Sequence, residues 1–169
     1  MRVIAWLAAL SLSFVFPAIS AAQGSERMSE SSTAVNRAMI KRAFDDWSAG
    51  KGDVFSLLAE NATWRIMGSD PEIAKTYHSR EALLDAAAKP LAARLKGPLK
   101  PTVRRIWADG DEVIVFWDGE GDVYDGTKYR NTYLWIMTVK DRRVVDVTAF
   151  LDIPSFKAVL DRPPPPRKP

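Results

Sequence analysis

Two carboxylates, Asp118 and Glu120, stand two residues apart in a stretch that alternates like a strand. At that period, positions i and i+2 share a face. Two acids so close would repel, raise one pKa and yield a general base. The alternative is a solvated pair at the fraying end of a strand before Gly121. His78 is the only histidine in the chain. It is either a lone acid/base or a loop-packing residue. One histidine with no carboxylates spaced around it does not make a zinc site. The chain has no cysteine, which removes thiolate nucleophiles, thiolate metal sites and disulfides together. No metal and no cofactor is therefore expected. Asn131, an amide set among Tyr129, Tyr133 and Trp135, must find its partners in a ligand or in backbone.

The elements that would position these residues follow from periodicity. Apolar residues at Val35, Ala38, Met39, Ala43, Phe44 and Trp47 form a helical stripe that Gly50 stops. Asp53 caps a second short helix through Leu58 and Ala59. Residues 62–67 read as a strand, with a turn at Gly68-Ser69-Asp70-Pro71. Ser79 starts a third helix carrying Leu83, Leu84, Ala87, Leu91 and Leu95 on one side, ended by Gly97-Pro98. The pattern then changes to strands at 102–108, 112–119, 127–139 and 143–151, rich in Val, Ile, Trp and Tyr. Their joints at Asp109-Gly110-Asp111, Asp125-Gly126 and Lys140-Asp141-Arg142 are hairpin chemistry. A last helix is predicted over 154–160. Helices first and a meander afterwards indicate an α+β fold, its N-terminal helices packed on a curved antiparallel β-sheet.

Each strand offers two faces, and the long strand decides which looks inward. One face reads Tyr129, Asn131, Tyr133, Trp135, Met137 and the other Lys128, Arg130, Thr132, Leu134, Ile136, Thr138. The aromatic list suits a mostly apolar pocket with few polar fixtures. On the preceding strand Phe116 is assigned inward, which carries Asp118 and Glu120 with it, and Trp107 and Trp117 are assigned outward.

Two passages resemble a known superfamily. Leu57-Leu58-Ala59-Glu60-Asn61-Ala62-Thr63-Trp64 with Gly68-Ser69-Asp70-Pro71 is similar to the helix-to-first-strand passage of ketosteroid isomerases and SnoaL-like proteins. The segment 125–133, with Arg143-Val144-Val145 and Ala149-Phe150-Leu151-Asp152, resembles the last hairpin of that superfamily, which includes nuclear transport factor 2. The resemblance spans residues 33–160 and implies a cone-shaped fold enclosing a pocket. It also implies pairing of two subunits through the outer sheet face.

The superfamily's chemistry transfers poorly. The ketosteroid isomerase proton shuttle falls at Ile66, its oxyanion tyrosine at Ala43 and the assisting acid at Trp135. None of these side chains moves the required proton, and Trp135 offers only an indole N–H. The Arg-x-Asp of limonene-epoxide hydrolases falls at Phe116-Trp117-Asp118, and the acid on the last strand, used also by SnoaL-type cyclases, falls at Ala149. Asp118 alone is retained.

At the start of the chain, Arg2, an apolar stretch 3–16, Pro17 and Ser20-Ala21-Ala22 follow the order of a secretory signal. About 14 apolar residues fall short of the roughly 20 that cross a bilayer. The expected layout is a signal peptide over 1–22, cleaved near Ala22, a disordered leader over 23–32, one domain over 33–160 and a Pro-rich basic tail over 161–169. The chain is therefore expected to be exported, periplasmic or secreted. The net charge of +3 is small and owes much to the tail, so neither nucleic acid nor, after cleavage, a membrane is an expected partner.

Three functions stay open on the sequence. The first is a pocket that binds a small apolar or aromatic molecule, lined by Trp64, Ile66, Phe116, Tyr129, Asn131, Tyr133, Trp135 and Ala149. The second is an isomerase, dehydratase or hydrolase using Asp118, with Glu120 or His78, as base and Asn131 with Tyr133 as oxyanion donors. The third is a dimeric interaction protein that uses the outer sheet face.

Overall fold

The computed structural model describes the backbone of residues 21–163, with side chains described at 30 and 32–163. Most of the expected signal peptide (1–22) and of the Pro-rich tail (161–169) lies outside the described residues. The first helix, α1 (Ala21–Ser48), takes in the segment 23–32 expected as a leader. That segment contains no proline and only Gly24, so no residue in it stops the helix. The buried stripe of α1 is Asn36, Ile40, Phe44 and Trp47, whereas Val35 and Ala38 face solvent. The helix is thus rotated about one residue from the expected stripe. Asn36 explains the offset. Its Nδ2 donates to Gly110 O at 3.1 Å, and Gly110 N donates to Thr33 Oγ1 at 2.8 Å. These bonds fasten α1 to a hairpin tip, and Gly110 supplies the positive φ the turn needs.

Asp53 does cap the next element, accepting from Ser56 N at 3.1 Å, but that element is a single 3-10 turn, Val54–Leu57. The chain then extends at once into β1 (Leu58–Ile66), followed by the short β2 (Thr76–Tyr77). A helical stretch follows, capped by Ser79, whose Oγ accepts from Ala82 N at 3.0 Å. It consists of α2 (Arg80–Leu83), a π-helical turn (Leu84–Ala88) and α3 (Lys89–Ala92). Pro90 accounts for the π turn. It has no N–H to give and its ring crowds the carbonyl four residues back, so the helix widens ahead of it. The widened turn presents Leu84, Ala87 and Ala88 together towards the sheet.

The remaining elements are β3 (Lys100–Asp109), β4 (Glu112–Asp122), β5 (Lys128–Lys140), β6 (Arg143–Leu151) and α4 (Ile153–Leu160). The sheet is six-stranded in the order β2-β1-β6-β5-β4-β3. All neighbours are antiparallel except β1 and β6, which run parallel with Trp64 beside Val147 and Ile66 beside Ala149. The antiparallel expectation is corrected at that one junction. The helical segment and the whole meander separate β1 from β6, long enough for the crossover a parallel pair requires. The architecture is the α+β cone expected, with helices against the concave face of the sheet.

Burial settles the faces. The inner face carries Val113, Val115 and Trp117 on β4, the aromatic list of β5, Val147 and Ala149 on β6, and Ala62, Trp64 and Ile66 on β1. Each large apolar side chain so buried contributes about 1.5–3 kcal/mol. The outer face carries Ile114, Phe116, Leu134, Ile136 and Phe150, half-buried or exposed. The assignment of β4 is therefore reversed from expectation: Trp117 looks in, and Phe116, Asp118 and Glu120 look out.

Candidate functional site

A cavity of about 480 Å³ opens between the sheet and the helices, within the range of ligand pockets. The sheet supplies Trp64, Ile66, Trp117, Tyr133, Trp135 and Ala149. The helical stretch after Ser79 supplies Leu83, Leu84, Ala87, Ala88 and Leu91 opposite them. Trp47 and Phe55 close one side, and Leu151 with Phe156 of α4 closes another. Five of the positions read from the sequence as pocket-lining, Trp64, Ile66, Tyr133, Trp135 and Ala149, meet in this wall.

The aromatic side chains form one connected cluster. Trp117 and Tyr133 stack with centroids 4.1 Å apart and planes 10° from parallel. Trp135 meets Trp117 edge-on at 4.7 Å and Trp64 edge-on at 4.8 Å. Trp47 approaches Trp117 at 5.3 Å. Such pairings favour offset or edge contacts and hold the rings in fixed places. Gly119 makes the stack possible. A Cβ there would stand 3.1 Å from both Trp117 Cζ3 and Tyr133 Cε2. That is close enough to force one ring aside.

The polar residues sit elsewhere. Asn131 is buried, and its amide is used by backbone: Nδ2 donates to Asp152 O and Oδ1 accepts from Asp152 N, both at 2.9 Å. It pins the turn between β6 and α4 and does not line the cavity. Tyr129 lies just behind the wall, its hydroxyl 2.5 Å from that of Tyr133. Burial pushes the Tyr129 phenol up to about 12 and the Tyr133 phenol well above its ordinary value. Neither is a phenolate near neutral pH.

The expected catalytic acids are on the convex side. Asp118 accepts from Arg104 Nε at 2.6 Å and from Thr132 Oγ1 at 2.7 Å, and the Arg104 guanidinium lies over the Phe116 ring at 5.2 Å. Burial would raise the Asp118 carboxyl. The hydrogen bonds from Arg104 and Thr132, with the Arg104 charge, outweigh it and hold the group below its ordinary value. Glu120 pairs with Arg130 at 2.5 Å on the same face. The outward turn of β4 thus removes Asp118, Glu120 and Phe116 from the pocket, and a lowered pKa is the opposite of what a poised base needs. His78 is exposed in the bend after β2 and lies outside the wall. The carboxylate and the ammonium that touch the cavity are Asp53, engaged as a cap, and Lys89, paired with Asp85 at 2.5 Å. Among the described residues no cluster of His, Cys, Asp or Glu could hold a metal ion.

Trp117 is the residue the sequence reading missed. Its strand is apolar on both faces, so alternation alone does not orient it. The signal that could have oriented it is Gly119 and Gly121 on one face against Asp118 and Glu120 on the other. Glycines make room for a close neighbour, and acids prefer water.

The family of SnoaL-like domains matches residues 40–147. The chain belongs to this family. No curated protein matches in sequence. Among solved structures, the SnoaL-like chain is similar to a protein from a soil-derived mobile gene cassette, at 19% identity and a TM-score of 0.61, covering 76% of this chain and 98% of that one. It is also similar to an NTF2-like protein from Burkholderia xenovorans LB400, at 22% identity and a TM-score of 0.54, covering 77% and 98%. A third is an LEH-like epoxide hydrolase from M. tuberculosis, at 14% identity and a TM-score of 0.55, covering 76% and 90%. At these identities the likeness concerns the fold. The SnoaL-like cone keeps its cavity here, but Ile66, Trp135 and Ala149, where the resemblance puts acids, are apolar and line it.

Proposed function

We propose that this SnoaL-like protein is an exported binder of a small apolar or aromatic molecule, held in the cavity between the sheet and the helices. The composition of the wall carries the reading. Trp47, Trp64, Trp117, Tyr133 and Trp135 together line the cavity, and the charged groups touching it, Asp53 and Lys89, are both engaged. A carboxylate-driven isomerase, dehydratase or hydrolase needs an acid or base in contact with substrate, and Asp118, Glu120 and His78 stand outside this wall. Export is supported by the charged, apolar and small-residue order of residues 2–22.

The outer face supports a second copy as partner. Phe116, Leu134 and Phe150 sit side by side across β4, β5 and β6, with Phe150 42% exposed. The ion pairs Arg104–Asp118, Arg130–Glu120 and Arg65–Asp146 lie on the same face. An apolar centre among charges of both signs can meet its own copy about a two-fold axis.

Native mass spectrometry of the protein from the exported fraction, never denatured, tests these readings together. The expected spectrum is a dimer lacking the signal peptide, with a reproducible extra mass per subunit that is lost on denaturation. Apo protein in every preparation argues against a resident ligand, and monomer alone against the outer-face pairing.

A further inference from the structure

The cavity is graded from apolar to polar. Its buried lining, which includes Trp64, Ile66, Leu83, Ala87, Trp135 and Ala149, carries no charge. Among the described residues, its exposed lining is Gly50, Gly52 and Asp53 after α1, Lys89 and Ala92 on α3, and Pro98 beyond it. Both charged residues of the wall, Asp53 and Lys89, therefore stand where the cavity meets solvent. The rim beside α1 is also uncrowded, since a Cβ at Gly50 or Gly52 would meet nothing within 4 Å. This gradient dictates how a guest molecule sits. A charged group carried to the buried wall loses its hydration and meets no opposite charge there, which is costly. The same group left at the rim keeps its water, while the apolar body covers the aromatic wall. An apolar end left at the rim would instead stay in contact with water.

We propose that the cavity takes an amphiphile: a largely apolar, ring-bearing body with one polar group, such as a carboxylate, at one end. The molecule enters apolar end first and leaves its polar end at the rim formed by residues 50–53 and 89–98. This rests on the reading of the cavity as a ligand site and goes beyond it by fixing the polarity and the direction of the guest.

Fluorene, fluorene-2-carboxylate and fluorene-2,7-dicarboxylate place no charge, one charge and two charges at the ends of the same rigid frame. In calorimetric titrations the monocarboxylate is expected to bind at least as tightly as fluorene, because its charge stays at the rim. The dicarboxylate should bind at least about tenfold more weakly than the monocarboxylate, because one charge must enter the buried wall. Ala92 is exposed on the rim. Ala92→Lys should raise, and Ala92→Asp lower, the affinity for the monocarboxylate relative to fluorene, each by up to about fivefold, the scale of an exposed ion pair. The direction of the guest is read without any variant, from nuclear Overhauser contacts in the monocarboxylate complex. Ring protons beside the carboxylate should meet the Ala92 methyl, and those of the distal ring the indoles of Trp64 and Trp135. A dicarboxylate that binds as tightly as the monocarboxylate, or the reversed set of contacts, overturns the inference and leaves the cavity reading standing. Binding of none of the three probes overturns the cavity reading, and the inference with it.

Discussion

Trp117 and Tyr133 are cross-strand partners on β4 and β5, and their rings stack face to face at 4.1 Å in the wall of the cavity. The pairing depends on Gly119, two residues further along β4 on the same face. Gly119→Ala places a methyl 3.1 Å from each ring, inside ordinary contact distance. Overpacking of this kind costs about 1–3 kcal/mol. Urea denaturation is expected to show that loss, and near-ultraviolet circular dichroism a changed aromatic signal. An unchanged near-ultraviolet spectrum would contradict the stack.

The tyrosine pair behind the wall predicts alkaline sensitivity. Burial raises Tyr129 to about 12, and raises Tyr133 and Tyr77 above their ordinary value as well. These phenols are neutral in the folded protein, while the unfolded chain ionises near the ordinary value of about 10. The stability they contribute is complete below that pH and is lost as pH rises through the folded values. Phenolate absorbance from Tyr129 and Tyr133 should therefore arrive together with unfolding. The alkaline limb of the stability curve should be shallower in the Tyr129→Phe/Tyr133→Phe double variant. An equally steep limb would show that these hydroxyls are not the cause.

Asp118→Asn tests the reversal of β4. The Arg104–Asp118 pair is half-exposed, so its loss should cost no more than about 1 kcal/mol. Fluorene affinity should not change, because the residue is on the convex face. The folded carboxyl titrates below its ordinary value. Its contribution is thus present above the unfolded pKa and fades as pH falls through the lower folded one. The variant should lose less stability on acidification than the parent. A large drop in ligand affinity would return Asp118 to the pocket.

Asn131 matters through α4. Its two bonds to the Asp152 backbone set the start of the helix that brings Phe156 to the cavity. Asn131→Ala leaves the part-buried carbonyl and N–H of Asp152 without their side-chain partner, at about 1 kcal/mol for each bond lost. The expected phenotype is lower stability, with faster amide exchange at 152–156. Exchange rates there matching the parent would contradict the clamp.

The sequence made the inner face of β5 readable because its alternation is one-sided: Tyr129, Tyr133 and Trp135 oppose Lys128, Arg130 and Thr132. Those contrasts oriented the strand and, through it, the converging positions on β1 and β6. Strand β4 gave no such contrast, since Val113, Val115 and Trp117 alternate with Ile114 and Phe116, and both faces of this sheet carry apolar residues. One wrong turn there moved Asp118 into the pocket and Trp117 out of it. Parallel pairing of β1 with β6 was not legible either, because it is fixed by the path of the chain between them rather than by local pattern. The stripe of α1 was displaced for a different reason. Asn36 is polar yet buried, held by the Gly110 carbonyl, a partner that lies far away in sequence.

The central claim is that the concave aromatic face, and not the convex one, receives the ligand. A ¹⁵N correlation spectrum of the tryptophan indoles during titration with fluorene tests it most directly. Trp47, Trp64, Trp117 and Trp135 line the cavity, while Trp107 is 42% exposed at the outer edge on β3. The account predicts that the four cavity indoles shift together and saturate in one transition while Trp107 stays in place. A spectrum in which Trp107 alone moves, or in which none of the four responds, would contradict it.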